Sequence, residues 1–516
     1  MKNTIIIIII LSLGLTSCTD SFLDRASLTQ IAENNFWTSE ADAFLALNAV
    51  YSTLQARTLY GGNLNAVQGY PGYDNLGDNA YNQFEFEGPA QFMEGTMNPN
   101  HGMISSNWNN LYQGIARVNA VIKNVKDISE DLVPAETKNE LLGQAYFLRA
   151  LFYFNIAVYY EEAPLITEPQ LLEEAFVPKN TYAEINAQIV EDLKFAINTL
   201  PAAHPANLYG YATKGAALGL FARVQLYNKV YTGEDGVIGL TQQMLGLGYA
   251  LHPNYAELFS PAGEKSKEVV FSIRFLRGDD SNNGEVFSAT FNGTPKVDQR
   301  PMPNLVKDFY CTNGLPITNN PLYNPAMQQL NRDPRATATI YFKGDTYLTS
   351  PNMVFPGNGP TTYGMRKYIR NGPDADGNAA FGDGSQDFYV IRYAEVLLMR
   401  AEALAETGDV AGATALVNQV RARVNMPKVE DVEGSVNKDQ MIAIIRHERR
   451  VELALEGLRF MDLKRWGTVG QAFQRAIADK IGPYAPQYLG KRSEVFPIPQ
   501  DEIDVNPMLT QNPAWQ

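Results

Sequence analysis

Apolar residues recur at helical spacing in segment after segment, and this constrains the chain more than any other feature. Residues 36–55 carry Phe44, Leu47, Ala49, Val50 and Leu54 behind a capping Ser39, and residues 108–125 carry Leu111, Ile115, Val118 and Ile122. Residues 136–160 run through Ala145, Leu148, Phe152 and Ile156, while 182–200 and 212–230 flank a turn containing Pro and Gly. Helix returns at 393–406, 410–424 and 438–456. From 232 to 386 the signal changes to short β-type runs, such as 268–274, separated by Asn, Gly and Pro clusters.

The pair spanning 393–424 is the most legible. Ala401, Leu404, Gly408, Ala413, Val417 and Val420 follow the spacing of a tetratricopeptide unit, and Thr407-Gly408-Asp409 supplies one helix stop and the next cap. Any two-helix hairpin needs small residues at its crossing, so the spacing alone also fits that simpler unit. Several such pairs predict a mostly α fold, a tetratricopeptide-like helical-repeat scaffold with an irregular loop and short-strand subdomain. Stacked repeats present concave surfaces that grip partners. The domains read as 18–231, including an aromatic loop at 59–106; a variable insertion at 232–386; and a helical part at 387–516 that completes the scaffold.

The N-terminus addresses the chain to the cell envelope. Met1, Lys2, Asn3 and Thr4 precede an apolar run from Ile5 to Leu15 and then Thr16-Ser17-Cys18, too short a stretch to span a bilayer. Cys18 at the end of Leu-Thr-Ser resembles a bacterial lipobox, with 1–17 as signal peptide and the Cys18 thiol acylated; an ordinary signal with an incidental Cys is the alternative. Cys311 is then the only other cysteine, so the mature chain has no intramolecular disulfide and depends on packing for stability. Membrane attachment is expected through the lipid alone.

Charge excludes one class and qualifies another. The 516 residues hold 42 Lys+Arg against 56 Asp+Glu, a net charge of −14, which argues against nucleic acid as a partner. The same balance disfavours polyanionic ligands unless a local basic patch overrules it. Catalytic templates are missing: the four His (His101, His204, His252, His447) are scattered, and no zinc-protease helix, nucleophile elbow or phosphate loop occurs.

The charged run 446–466 invites a glycosidase reading, since Glu448, Glu452 and Glu456 would share a helical face. Each acid, however, has arginine near it: Arg449 with Glu452, Glu456 with Arg459 and Asp462 with Arg465 sit three apart. Such partners lower carboxyl pKa values, whereas a general acid needs the reverse. The run therefore reads as a structural network and the protein as a non-enzyme. No cofactor is expected. Asp374-Ala-Asp376-Gly-Asn378 opens like a calcium loop but has Ala379 where Gly is needed and Ser385 where a closing Glu is needed, so a structural calcium there stays unproven.

The chain carries 27 Tyr, 25 Phe and 4 Trp, and its aromatic loop mixes rings with amides: Tyr70, Tyr73, Asp78, Asn79, Tyr81, Asn82, Phe84 and Phe86, with His101 downstream. Aromatic faces stack on sugar C–H groups, and Asn, Gln and Asp bond hydroxyls. The same rings can instead pin the loop to the helices; the set as a whole places one or two of them against a ligand.

These residues resemble the SusD/RagB family of outer-membrane lipoproteins from Bacteroidetes. The carriers are Trp108-Asn109-Asn110-Leu-Tyr112 with Ile115 and Asn119; Ala145 to Arg149, Ala150, Tyr153 and Phe154, followed by Pro164-Leu165; Thr213-Lys214; Arg392-Tyr393 to Ala403; the run from Glu448 to Trp466; and Pro497-Ile-Pro499 through Asn512-Pro513. Glu161-Glu162 departs from the family's frequent Gly before the Pro-Leu pair. The resemblance implies a lid partner for a SusC-like TonB-dependent transporter, lipid-anchored to the outer membrane and facing the cell exterior. Such a partner captures oligosaccharide or polysaccharide and leaves catalysis to other proteins. An oligopeptide-capturing lid and a lipoprotein glycosidase are the alternatives. Candidate ligand contacts are Tyr70, Tyr73, Asn79, Tyr81, Asn82, Phe86 and His101, with Tyr310, Tyr323 and Tyr363 from the insertion behind them.

Overall fold

A computed structural model describes residues 36–62, 68–276, 284–290, 299–347, 352, 354–369 and 384–516. Cys18 and its signal, and Asp374, Asp376, Asn378 and Ala379 of the calcium-like loop, lie outside the described residues.

Among the described residues the frame is made by α1 (Glu40–Leu54), α2 (Gly102–Asp127), α3 (Ala135–Tyr159), α4 (Tyr182–Thr199), α5 (Lys214–Tyr227), α6 (Val237–Met244), α7 (Tyr393–Glu406), α8 (Val410–Arg423) and α9 (Lys438–Glu452). Each packs on its chain neighbour, and α6 packs on α7, so the stack continues across the insertion. This is the mostly helical, tetratricopeptide-like scaffold expected from the periodicity. Local chemistry sets its ends. The Ser39 side chain accepts from Asp42 N–H, and Thr181 with Glu184 forms a capping box. Asp409 accepts from Gly412 N–H one residue after Gly408, which stands at φ +93. Helix α3 is apolar and long enough to span a bilayer, but its most apolar window is 94% buried as the core helix of the stack.

α6 is the main departure from the sequence reading, which took 232–386 wholly for loops and strands. It is only 8 residues long, too short for periodicity to register, and is held by packing on α5 and α7. Three two-stranded antiparallel sheets stitch the irregular segments together: β1 (Ala80–Tyr81) with β3 (Arg300–Pro301), β2 (Val269–Ile273) with β6 (Phe388–Arg392), and β4 (Ile340–Tyr341) with β5 (Gly364–Met365). The β1–β3 pair fastens the aromatic loop to the insertion.

The charged run is a buried network, with most partners other than those expected. α9 stops at Glu452, and the backbone turns through Leu455 (φ 62) and Gly457 (φ 77) before α10 (Arg459–Trp466), so Glu456 leaves the helical face of Glu448 and Glu452. Of the three expected pairs, only Asp462 with Arg465 forms, at 2.8 Å. Arg449 turns to Asp462 (3.0 Å), and Glu452 receives Arg335 (2.9 Å), Arg392 (2.6 Å) and Arg423. Glu456 receives Lys367 at 2.8 Å and Arg392 at 2.7 Å. Burial alone would raise Glu452; the arginines overcome it and hold the carboxyl well below its ordinary value. Glu161, in the Glu161-Glu162 pair before Pro164-Leu165, takes a left-handed φ of 65 and receives Lys464 at 3.1 Å and Lys491 at 2.6 Å.

Candidate functional site

The aromatic loop divides into an anchored half and an exposed half. In the anchored half, Asp74 accepts from the backbone N–H of Gly457 (2.6 Å) and Leu455 (3.3 Å) and from Asn79 Nδ2 (2.6 Å). Burial pushes its carboxyl up to about 6. Asp78 receives Arg459 (2.8 Å), Arg450 (3.1 Å) and Arg475 (2.5 Å), the last from α11 (Val469–Ala478); these cations outweigh burial and hold Asp78 well below the usual carboxylate range. Asn79 Oδ1 accepts from Arg450 Nε at 2.9 Å, and Asn82 and Gln68 both donate to Glu87 Oε2.

The rings follow the same logic. Tyr70 stacks on Tyr159 at 5.4 Å, Tyr73 meets the edge of Tyr159 at 5.2 Å, and Tyr81 packs on Tyr484 at 4.8 Å. Tyr70, Tyr73, Asn79, Tyr81 and Asn82 are all buried. As ligand candidates these five are therefore corrected, and the exposed ring falls to Phe86: Tyr70 and Tyr73 pack on α3, Asn79 accepts from Arg450 of α9, Tyr81 packs on Tyr484 and Asn82 donates to Glu87. An aromatic-amide composition serves interior anchoring and sugar binding alike, and only burial separates the two.

From Gln83 the chain turns outward. Phe86 is 57% exposed, its ring 5.9 Å from the half-buried Phe84. His101 caps α2: Nδ1 accepts from Met103 N–H at 3.1 Å, which leaves the proton on Nε2, 3.4 Å from the Phe86 carbonyl. Burial lowers the His101 pKa, so the ring is a neutral donor that steadies the Phe86 backbone. The insertion adds two half-buried groups. Arg300, paired with Tyr81 in the β1–β3 register, donates from Nε to Gln83 Oε1 at 2.7 Å. Tyr347 packs against Tyr341 (5.3 Å) and Phe355 (5.8 Å). Phe84, Phe86, His101, Gln83, Arg300 and Tyr347 make an edge of rings and polar tips fixed from behind by the anchored half. Gln83, Arg300 and Tyr347 escaped the sequence reading because their placement comes from the strand pairing of residues far apart in the chain.

Tyr310, Tyr323 and Tyr363 gather elsewhere in the insertion. Tyr310 stacks on His447 at 4.1 Å, Tyr323 lies under Arg332 at 5.5 Å, and Tyr363 donates to Gln328 at 2.7 Å. Among the described residues, no ring contact or hydrogen bond joins them to Phe86 or His101.

A separate cleft of about 440 Å³ is lined by Tyr51, Tyr209 and Tyr211 with Asn48, Gln55, Asn207 and Arg274. Arg274 lies over the Tyr209 ring at 4.8 Å. Behind it, Glu264 Oε1 accepts from the Asp387 backbone N–H at 2.9 Å, and burial raises both carboxyls. The sequence signal for this cleft was the run Asn207 to Tyr211, with two tyrosines around Gly210. Among the described residues, no cluster of three or more His, Cys, Asp or Glu is arranged to hold a metal ion.

A tetratricopeptide-like stack carrying irregular loops, with a ring-and-amide edge and its acid-rich run locked into internal ion pairs, defines a binding platform. The chain belongs to the SusD family. Residues 267–515 match the SusD family model, and residues 22–226 match a model described as starch-binding, associating with outer membrane. SusD-like protein P38 of Formosa agariphila is 26% identical over 99% of both chains. A SusD-like carbohydrate binding protein from Bacteroides fragilis is 28% identical, with a TM-score of 0.77 over 92% of this chain and 100% of that one. A laminarin binding SusD-like protein is 25% identical, with a TM-score of 0.72 over 92% of this chain and 99% of that one.

Proposed function

We propose that this protein is a cell-surface glycan-binding lipoprotein, anchored to the outer membrane through Cys18 and facing outward. It captures oligosaccharide or polysaccharide and hands it, unhydrolysed, to a SusC-like TonB-dependent transporter on which it acts as a lid. The observation that carries the reading is the exposed Phe86 beside Phe84, held by His101 and flanked by Gln83, Arg300 and Tyr347 on a SusD-family frame. Rings fixed in place lose little entropy when a sugar stacks on them, and the flanking amide and guanidinium reach its hydroxyls. Laminarin binding by a relative of the same fold supports carbohydrate as the ligand class. The acids of the 446–466 run, held ionised by arginine as at Glu452, support reading that run as structure and not as a catalytic acid pair.

Isothermal titration of the acyl-free protein against a panel of neutral and acidic polysaccharides tests this, with chromatography of the recovered glycan. Binding with intact glycan is the expected result. Silence across the panel, selective retention of peptides, or release of shorter sugars each contradicts it. Co-purification of the acylated protein with a TonB-dependent transporter tests the lid role.

A further inference from the structure

We propose that Arg300 is an anion-recognising residue, so that the glycan held at the Phe84–Phe86 edge carries a carboxylate or a sulfate ester. This rests on the glycan-binding reading and narrows it. Acidic residues outnumber basic ones 56 to 42 in this chain, and its buried arginines mostly find carboxylates: Arg149 with Asp192, Arg223 with Glu395, Arg335 with Asp333 and Arg465 with Glu402. Arg332 lacks an acid but is satisfied otherwise, with Nε on the Phe309 carbonyl (2.8 Å), Nη1 on the Gln328 carbonyl (3.1 Å) and Nη2 on the Val306 carbonyl. Arg300 has neither arrangement. Among the described residues, its Nε bonds Gln83 Oε1, and no carboxylate pairs with the guanidinium.

A half-buried cation with no carboxylate partner among the described residues is unfavourable, and burial accordingly lowers the Arg300 pKa, with the Tyr81 and Tyr347 hydroxyls opposing. An incoming anion removes that penalty. Local shape fits the role. Gly359 has φ +105, and a Cβ placed there would stand 2.8 Å from Nη1 and 3.1 Å from Nη2, so the glycine lets the backbone close on the guanidinium and fix its plane. Gln83, which holds Nε, is the residue before Phe84. The two Nη groups thus form a fork beside the aromatic edge, and a planar fork matches the paired oxygens of a carboxylate or sulfate. The net charge of −14 disfavours a polyanion in general; Arg300, unpaired by any carboxylate among the described residues, supplies the local exception at the contact edge.

The test is titration of wild type, Arg300→Gln, Arg300→Lys and Phe86→Ala with three probes of matched length: oligogalacturonate, a sulfated galactan oligosaccharide and a neutral glucan oligosaccharide, each at low and high salt. The expected result is binding of an acidic probe, with the carboxylate and sulfate arms separating the two sources. Arg300→Gln should weaken it about tenfold or more and flatten its salt dependence, and Arg300→Lys should restore only part. Neutral glucan binding that Phe86→Ala removes and Arg300→Gln leaves intact overturns this inference while the glycan-binding reading stands. Binding of none of the probes overturns the inference, and silence of the wider polysaccharide panel overturns the glycan-binding reading with it. Arg300 is half-buried on a two-residue strand, so Arg300→Lys is expected to melt as wild type does and Arg300→Gln, which removes the uncompensated charge, at wild type or slightly above, so that a loss of affinity is not a loss of folding.

Discussion

Asp78 and Arg459 stand 381 positions apart in the chain, and the Arg459 Nε donates to the Asp78 carboxylate at 2.8 Å. With Arg450 and Arg475 on the same carboxylate, this contact ties the aromatic loop to the C-terminal helices.

Asp78→Asn should therefore act on stability. Removing one partner of a buried ion cluster leaves cations uncompensated, at a cost of about 3–5 kcal/mol. Denaturant melts check it, with Asp127→Asn as the comparison: the Lys123–Asp127 pair is 58% and 67% exposed and should shift stability by less than about 0.5 kcal/mol. Equal effects would contradict the anchoring role.

Tyr73 and Phe86 should separate stability from binding. Among the described residues nothing bonds the buried Tyr73 hydroxyl, so Tyr73→Phe removes an unsatisfied polar group and should leave the melting temperature level or raised, with glycan affinity unchanged. Phe86→Ala should leave the melting temperature alone and weaken glycan binding about tenfold. Loss of affinity in Tyr73→Phe with none in Phe86→Ala would reverse the assignment.

Asp74 gives a pH signature. Its carboxyl is raised in the folded protein to about 6 from 3.8, so its favourable contribution is complete below pH 3.8 and is lost as pH rises through about 6. The loss amounts to about 3 kcal/mol, from about 1.4 kcal/mol per pKa unit. Asp74→Asn removes the titration. Relative to wild type, the variant should gain stability between about pH 4 and about pH 7, measured by urea melts at both. A difference independent of pH would rule out Asp74 as the titrating group. Asp78 runs the opposite way, since its lowered carboxyl stabilises above pH 3.8 and loses that effect on acidification.

Gly457 should not tolerate a side chain. It stands at φ +77, and a Cβ would lie 2.2 Å from the Tyr70 carbonyl oxygen, a backbone atom that cannot swing away. Gly457→Ala should cost roughly 2–4 kcal/mol in a thermal or denaturant melt. Gly408→Ala meets open space at φ +93 and should cost only about 1 kcal/mol. The reverse ranking would contradict the close packing of the loop on the post-α9 turn.

What the sequence made legible was local. The bounds of α7 match its periodicity residue for residue, and Ser39 and Asp409 cap where short polar side chains before apolar runs said they should. What it left illegible was pairing across the chain. Glu456 and Arg459 lie beyond the end of α9, so Arg459 found Asp78; Arg449 and Glu452 both lie within α9, yet each is drawn to a partner from elsewhere in the chain, Asp462 and Arg392. Burial was illegible for the same reason. Tyr73 and Phe86 belong to one aromatic run, and nothing in that run says that the first packs on Tyr159 while the second faces solvent.

Hydrogen–deuterium exchange with and without a bound polysaccharide tests the central claim most directly, because it reads out where a ligand rests. Protection gained at Gln83–Phe86, at His101 and around Arg300, with the glycan recovered at its original length, is the predicted result. Protection confined to the cleft of Tyr51, Tyr209 and Tyr211, or a glycan recovered in shorter pieces, would contradict it.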